Sequence, residues 1–195
     1  MDTAQNMDID PATGLVGAAR QIESPNQDER PDPEDISLIV IHGISLPPGE
    51  FGGPWVPDLF ANRLDTGRHP YFEGLAGVHV SSHLFIRRDG ELIQFVPLNR
   101  RAWHAGVSSY EGRSRCNDFS VGIELEGTDD RAYTAAQYRR LVELCRALLA
   151  AYPALTPERI TGHCHIAPER KTDPGPAFDW DRLVASVRDG VEYVG

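Results

Sequence analysis

The chain has 195 residues, of which 41% are hydrophobic and 25% are charged, as in an ordinary soluble globular domain. Its formal net charge of −10 argues against binding to nucleic acid or to an anionic membrane, since both need a basic surface. No apolar run reaches the roughly 18 residues that a membrane helix requires.

The N-terminal segment is polar and has no hydrophobic period, so we expect a disordered tail over residues 1–13 and one domain over residues 14–192. It also lacks the basic and apolar regions of a secretory signal, which predicts a cytoplasmic protein. The three cysteines include no CxxC pair. In a cytoplasmic chain, this pattern predicts free thiols at Cys116, Cys145 and Cys164.

The segment 23–35 is rich in Pro, Asp and Glu and is expected to be extended on the surface. Residues 37–42, SLIVIH, have the short β-branched run of a buried strand. The segment 43–54, which follows at once, is dense in Gly and Pro. His42 is therefore predicted to lie where a strand gives way to a loop, a frequent position for functional side chains.

Two apolar segments, 78–88 and 91–97, flank the dipeptide Asp89-Gly90, which predicts a β-hairpin. Further on, residues 121–125 alternate apolar with other side chains, as in a strand with one buried face. The same alternation puts Glu124 and Glu126 on one face, and the pattern does not choose between them.

The clearest predicted helix runs from Thr134 to about Tyr152, with the spacing of a capping box between Thr134 and Gln137. One helical stripe is apolar and includes Cys145, which we interpret as core packing. A last helix is expected after Asp179. The order of elements predicts an α+β fold, a single domain with a central mixed β-sheet flanked by helices.

Metal-binding residue types are concentrated in residues 160–180, ITGHCHIAPERKTDPGPAFDW. If this segment is extended, His163 and His165 share one face, Cys164 points away from it, and Lys171 and Asp173 share a cavity. A catalytic zinc ion typically takes three protein ligands and keeps a fourth position for water. His42, His163 and Asp173 would satisfy this requirement, although spacing alone fits ordinary core and surface histidines equally well.

Three long stretches carry a family resemblance. They are IVIHGISLPPGEFGGPW, RRDGELIQFVPLNRRAWHAGVSSYEGRSRCNDFSVGIELEGTD and ITGHCHIAPERKTDPGPAFDW. The chain resembles the AmpD family of cytoplasmic 1,6-anhydro-N-acetylmuramoyl-L-alanine amidases, from about Gly14 to the last helix. This family belongs to a wider group of zinc amidases and peptidoglycan recognition proteins.

The resemblance implies a role for each matching residue. His42, His163 and Asp173 match the zinc ligands, Glu124 matches the proposed general base, and Lys171 matches the lysine that stabilises the oxyanion. The implied reaction is hydrolysis of the amide between the lactyl group of anhydro-N-acetylmuramic acid and L-alanine, in cytoplasmic peptidoglycan recycling. The implied cofactor is Zn²⁺ and the substrate is a soluble anhydromuropeptide; no nucleic acid, membrane or obligate protein partner is expected.

The substrate contacts are predicted from the same motifs. Arg115 matches an arginine that binds a stem-peptide carboxylate. A guanidinium group suits this role because it can form two parallel hydrogen bonds with a carboxylate. Ala102, Trp103 and His104 are candidates for the pocket wall, although core packing would explain Trp103 equally well. The chain departs from the family pattern at three positions, where the family often has Asn, Arg and Asp respectively: Gly43, His79 and His165.

Three other functions are compatible with parts of the pattern. Some relatives in the wider group have lost metal ligands and only bind peptidoglycan. An amidase of this group could instead act on intact cell wall outside the cytoplasm. A third, weaker alternative is acyl transfer by Cys164 with a neighbouring histidine.

Overall fold

The computed structural model describes residues 7–189 of the chain. In chain order, its strands are β1 (Ile9–Asp10), β2 (Leu15–Val16), β3 (Arg20–Gln21), β4 (Gln27–Glu29), β5 (Leu38–Ile44), β6 (Leu84–Ile86), β7 (Leu92–Gln94), β8 (Arg100–Ala102), β9 (Ser109–Tyr110), β10 (Arg113–Ser114), β11 (Ser120–Glu126) and β12 (Ile160–Gly162). The helices are α1 (Trp55–Phe60), α2 (Pro70–Glu73), α3 (Ala135–Ala151), α4 (His163–Ile166) and α5 (Trp180–Arg188). Within residues 7–189, no helix has both the length and the apolar character of a membrane span.

Six strands form one mixed sheet in the order β12-β5-β11-β6-β7-β3. The first four of these strands are parallel to one another, β6 and β7 are antiparallel, and β3 lies parallel to β7. This arrangement confirms the predicted α+β domain with a central mixed sheet. It also confirms the hairpin at Asp89-Gly90, where Gly90 adopts the positive φ of 89° that glycine tolerates best.

The central strand β5 is covered on both faces, which explains its unbroken apolar run. Ile39 and Ile41 belong to the core formed with α3 and α5, whereas Leu38 and Val40 pack with residues near Phe119 on the opposite face. Because side chains alternate along a strand, His42 projects on the same face as Leu38 and Val40.

Helix α3 has the capping box that its sequence predicts. The Thr134 hydroxyl accepts from the backbone N–H of Gln137, and the Gln137 side chain accepts from the N–H of Thr134. Cys145 is fully buried in the apolar stripe, so its assignment to the core is confirmed. Helix α5 begins after Asp179, whose side chain accepts from the N–H of Arg182.

The structure corrects two expectations about the N-terminal third. Strands β1 and β2 pair with each other, and Met7 and Ile9 pack against the core, so residues 7–13 are not a free tail. Residues 1–6 and 190–195, including the predicted domain end at 192, lie outside the described residues.

The segment 23–35 is not wholly on the surface either. Arg30 is only 5% exposed, and its guanidinium donates to the backbone carbonyls of Leu98, Asn117, Asp118 and Ser120. Composition could not reveal this, because an arginine with backbone acceptors can be buried although an unpaired one cannot.

Candidate metal centre

His42 and Glu124 are brought together by two neighbouring strands. In the parallel pair β5 and β11, His42 lies directly beside Glu124 in register, so both side chains project on the same face. His42 is 1% exposed and Glu124 is 8% exposed. The His42 Nδ1 to Glu124 Oε1 distance is 3.9 Å. Two buried strands therefore hold both groups with little freedom to move.

His163 and Asp173 come from the opposite edge of β5. Strand β12 pairs with β5 and ends at Gly162, so His163, the next residue, starts α4 beside His42. The backbone carbonyl of Asp173 accepts from the N–H of Cys164 at 2.9 Å, and this hydrogen bond holds Asp173 next to His163.

One atom from each of the three predicted ligands meets in a triangle. His42 Nδ1 is 3.0 Å from His163 Nδ1 and 3.3 Å from Asp173 Oδ2, and His163 Nδ1 is 3.2 Å from the same oxygen. Zinc bonds of about 2.0–2.1 Å in a tetrahedron place ligand atoms roughly 3.3 Å apart. This is the one group of metal-ligating side chains with such geometry found within residues 7–189.

The hydrogen position on His163 also suits a metal. Its Nε2 lies 3.3 Å from the backbone carbonyl of Ala105, which can only accept, so this nitrogen carries the hydrogen. Its other nitrogen, Nδ1, lies 3.2 Å from Asp173 Oδ2, so lone pairs of these two atoms face each other unless a proton lies between them. Electron pairs that converge in this way need a shared proton or a cation between them.

Burial disfavours positive charge on His42 and negative charge on Glu124. Burial lowers the pKa of His42 to about 4, so the ring is uncharged and able to donate an electron pair. Burial raises the pKa of Glu124 well above its usual value, and Asp173 adds to the increase. For Asp173, burial alone would raise the pKa, but contacts with His163 and His42 outweigh it and lower the pKa.

Glu124 retains unused binding capacity. Its Oε2 is buried and, within the described part of the chain, has no hydrogen-bond partner. A buried unpaired carboxylate oxygen is costly and is found mostly where a ligand or a reacting group completes the site. The half-buried Lys171 contributes positive charge. This charge opposes the increase in the pKa of Glu124 and adds to the decrease in the pKa of His42.

The structure separates the two glutamates that the alternation left equivalent. Glu126 accepts from the N–H groups of Gly52 at 2.6 Å and Arg88 at 3.1 Å, so one oxygen holds the glycine-rich loop and the other holds the turn between β6 and β7. Glu124 lies at the triangle and Glu126 does not.

The predicted extended path of residues 163–166 is wrong, because these residues form the helical turn α4. Successive side chains therefore diverge by about 100°, and His165 leaves the face of His163. It is exposed, accepts from the N–H of Gly162 and packs on Trp180. Cys164 is outside the metal-ligand group, and burial raises the pKa of its thiol, which disfavours the thiolate that acyl transfer needs.

The predicted substrate contacts are dispersed. Arg115 is 69% exposed and its Nε lies 3.1 Å from Asp118 Oδ2, and His79 is exposed. Trp103 is half-buried, whereas the Ala102 side chain is fully buried in the core and cannot line a pocket. His104 lies behind His42, with Nδ1 at 2.8 Å from His42 Nε2.

Gly43 has its N–H 3.4 Å from Asp173 Oδ2. A Cβ at this position would lie 2.4 Å from the Tyr133 hydroxyl, so the chain has no room for the asparagine that the resemblance leads one to expect. Tyr133 itself, which no sequence motif singled out, donates to the carbonyl of Pro174, the residue after Asp173.

Comparisons with known proteins agree with this geometry. The N-acetylmuramoyl-L-alanine amidase family profile, Amidase_2, matches residues 32–176. The 1,6-anhydro-N-acetylmuramyl-L-alanine amidase AmpD of Citrobacter freundii is 61% identical over 89% of this chain and 92% of its own. The corresponding enzyme of Escherichia coli K12 is also 61% identical, over 87% and 91%.

The solved structures that resemble this chain include amidases as well. A crystal structure of a selenomethionine AmpD derivative superposes with a TM-score of 0.89 at 60% identity, covering 93% of this chain and 99% of that chain. The amidase AmiD from E. coli, in complex with anhydro-N-acetylmuramic acid-L-Ala-D-γ-Glu-L-Lys, has a TM-score of 0.57 at 28% identity, covering 88% and 62%. The chain therefore belongs to the N-acetylmuramoyl-L-alanine amidase family.

Proposed function

We propose that this chain is a zinc-dependent amidase that hydrolyses the amide between the lactyl group of 1,6-anhydro-N-acetylmuramic acid and L-alanine of the stem peptide. The substrate is a soluble anhydromuropeptide, and the reaction belongs to cytoplasmic peptidoglycan recycling. The observation that carries the proposal is the triangle of two imidazole nitrogens and one carboxylate oxygen beside the unpaired Glu124 Oε2. The near full-length similarity to amidases named for this bond supports the substrate class.

His42, His163 and Asp173 would hold the metal. Two neutral ligands and one anion leave a bound Zn²⁺ with net positive charge, with which it would acidify a water molecule and polarise the amide carbonyl. The nitrogen and oxygen donor set is one that catalytic zinc sites use.

Glu124 acts as the general base and then as the general acid. Its buried carboxylate takes a proton from the attacking water and returns it to the amine that leaves when the C–N bond breaks. A raised pKa suits this role, because the group must keep the proton until the amine is ready to receive it. Lys171 stabilises the negative charge that develops on the carbonyl oxygen.

Substrate recognition is proposed for four residues that the sequence motifs single out. Arg115 would pair with a stem-peptide carboxylate, which explains how an acidic protein binds an anionic ligand. Trp103, Gly43 and His79 remain proposed contacts, and His104 is better explained by its bond to His42.

The direct test combines metal analysis with turnover of purified anhydromuramoyl tripeptide. We expect about one zinc ion per chain, loss of hydrolysis on treatment with a chelator, and recovery when zinc is restored. Hydrolysis that survives complete removal of metal would contradict the zinc mechanism. A zinc-loaded protein without turnover would support a binding module instead, and rapid release of fragments from intact sacculi would indicate a cell-wall substrate.

A further inference from the structure

A chain of hydrogen bonds leads from the protein interior to the metal-facing nitrogen of His42. It starts at the backbone carbonyl of Cys116, which accepts from the hydroxyl of the fully buried Ser120 at 2.5 Å. A hydroxyl has one hydrogen, and here it is committed to a group that can only accept. Ser120 Oγ can therefore only accept from its other neighbour, His104 Nε2, at 3.1 Å.

The next two hydrogen positions follow. If His104 Nε2 donates to Ser120, the uncharged ring of His104 has its lone pair on Nδ1. That atom lies 2.8 Å from His42 Nε2, so His42 must donate through Nε2. The remaining nitrogen of His42, Nδ1, is then the atom directed at His163 Nδ1 and Asp173 Oδ2.

The position of His104 is fixed by backbone features. A Cβ at Gly122 would lie 2.5 Å from His104 Cγ, so the ring fits against β11 only because position 122 is glycine. The backbone N–H of His104 donates to Asn117 Oδ1 at 3.1 Å. The His104 and His42 rings meet edge to face, with an interplanar angle of 87°.

We propose that Ser120 and His104 are positioning residues that hold the hydrogen of His42 on Nε2, so that its Nδ1 already faces the metal position before the metal binds. The inference rests on the proposed metal site, but it concerns hydrogen positions that exist without a metal. Partners behind a metal ligand hold the ring orientation and hydrogen position, and their loss typically costs roughly 10–100-fold in metal affinity.

The primary test is ¹⁵N NMR of histidine side chains in the metal-free, full-length protein. We expect His104 to carry hydrogen on Nε2 and none on Nδ1, and His42 to carry hydrogen on Nε2. In Ser120→Ala, His104 should lose its single tautomer, because neither ring nitrogen then has a fixed acceptor. In the wild type, a hydrogen on Nδ1 of His104 or the lack of one on Nε2 of His42 would overturn the proposal, as would an unchanged His104 in Ser120→Ala.

A matched pair of variants separates hydrogen bonding from packing. His104→Leu removes the acceptor for His42 Nε2–H, whereas His104→Asn keeps an acceptor oxygen near the position of Nδ1. We expect zinc affinity, measured by competition with a chelating indicator, to fall roughly 10–100-fold in the Leu variant and much less in the Asn variant. Equal losses in both would indicate a merely structural role and overturn the proposal.

The outcomes also distinguish this proposal from the proposed function. If the protein shows the expected tautomers but neither binds zinc nor hydrolyses the muropeptide, the hydrogen-bond chain stands and the amidase mechanism is refuted. Zinc-dependent turnover together with the opposite His42 tautomer would refute the positioning role alone. If a His104 variant does not fold, the NMR of the wild type and Ser120→Ala decides the matter.

Discussion

Glu124 and Glu126 are chemically identical and two positions apart on β11, yet their surroundings give them different tasks. Glu126 has its oxygens bonded to two backbone N–H groups, whereas Glu124 keeps a buried oxygen without a partner in the described structure. A carboxylate whose oxygens both have hydrogen-bond partners stabilises the fold. A carboxylate with an unpaired oxygen next to a metal centre can accept a proton.

Glu124→Gln should keep zinc and lose rate, because the amide has the carboxylate's shape but cannot take up a proton. We expect kcat to fall roughly 10²–10⁴-fold. Stoichiometric zinc and kcat are measured on the same preparation. Glu126→Gln is the matched control, with kcat expected to stay within several-fold of the wild type. A fully active Glu124→Gln would show that the base is another group.

Asp173→Ala should abolish zinc binding, since it removes one of three ligands and leaves two buried imidazoles without their anionic partner. Zinc content after dialysis against a weak chelator measures the effect. Asp129→Ala provides a comparison, because Asp129 lies near Gly175 but outside the ligand group. Retention of tightly bound zinc by Asp173→Ala would mean that the ligand set is wrong.

Arg115→Ala should weaken substrate binding rather than chemistry. A charged hydrogen bond contributes about 1.5–3 kcal/mol, so KM should rise roughly 10–100-fold with kcat nearly unchanged. Arg115→Lys keeps the positive charge but loses the paired guanidinium donors, so its KM should lie between those of the wild type and the Ala variant. Steady-state kinetics with anhydromuramoyl tripeptide make the measurement. A substrate lacking the stem-peptide carboxylates should bind the wild type and the Ala variant equally.

At the scale of elements, the loop that carries Asp173 is tied to the end of β5 through Tyr133. The Tyr133 side chain lies between two glycines. A Cβ at Gly43 would lie 2.4 Å from its hydroxyl, and a Cβ at Gly127 would lie 2.4 Å from ring carbon Cε1. Its hydroxyl donates to the Pro174 carbonyl at 2.9 Å. The absence of a side chain at Gly43 therefore makes room for the group that holds Asp173 in place.

This packing predicts coupling between Gly43 and Tyr133. Tyr133→Phe should lower the free energy of unfolding by about 0.5–1.5 kcal/mol through loss of one hydrogen bond. Gly43→Ala should lower it by about 1–3 kcal/mol through overpacking. In the Phe background the clashing oxygen is gone, so Gly43→Ala should cost less. Denaturant unfolding of all four proteins gives the coupling, and strict additivity would contradict it.

At the scale of the whole molecule, the sheet buries several uncharged histidines beside one another. His83 is fully buried; burial and then the Arg30 guanidinium, 3.1 Å away, lower its pKa to about 3. Its Nδ1 accepts from the N–H of Gly122, on the strand that also carries Glu124. The folded protein therefore excludes protons that an unfolded chain would bind.

This arrangement makes stability depend on pH. The pKa of His83 is about 3 when folded and about 6.5 when unfolded, so its contribution is complete above about pH 6.5 and declines as the pH falls towards 3. Each pH unit in this window costs about 1.4 kcal/mol of unfolding free energy. His42 acts in the same direction in metal-free protein.

The comparison of metal-free wild type with His83→Asn tests this prediction. Asn can still accept from Gly122 but takes up no proton. Between about pH 6.5 and about pH 5, the wild type should lose about 2 kcal/mol more than the variant in denaturant unfolding. Parallel pH profiles would show that His83 is not held uncharged by the fold.

The sequence alone determined the elements whose pattern is local. The buried run before His42, the hairpin at Asp89-Gly90 and the capping box at Thr134 were all predicted correctly, because burial and capping leave periodic signatures. The long motifs also identified the amidase family, and they predicted as metal ligands the three side chains that the fold brings together, His42, His163 and Asp173. A short or irregular segment leaves no such signature, so the turn at His163 was predicted as extended.

How these parts meet depends on contacts between segments that are distant in the sequence. His42 and His163 are 121 positions apart, and their nitrogens come within 3.0 Å because β12 and α4 follow the register of β5. The pairing of β11 with β5 also places Glu124 beside His42 and Glu126 beside Ile44, and the fold brings His104 Nδ1 to 2.8 Å from His42 Nε2. Side-chain direction at such places is set by packing between distant segments, which no local pattern of residues records.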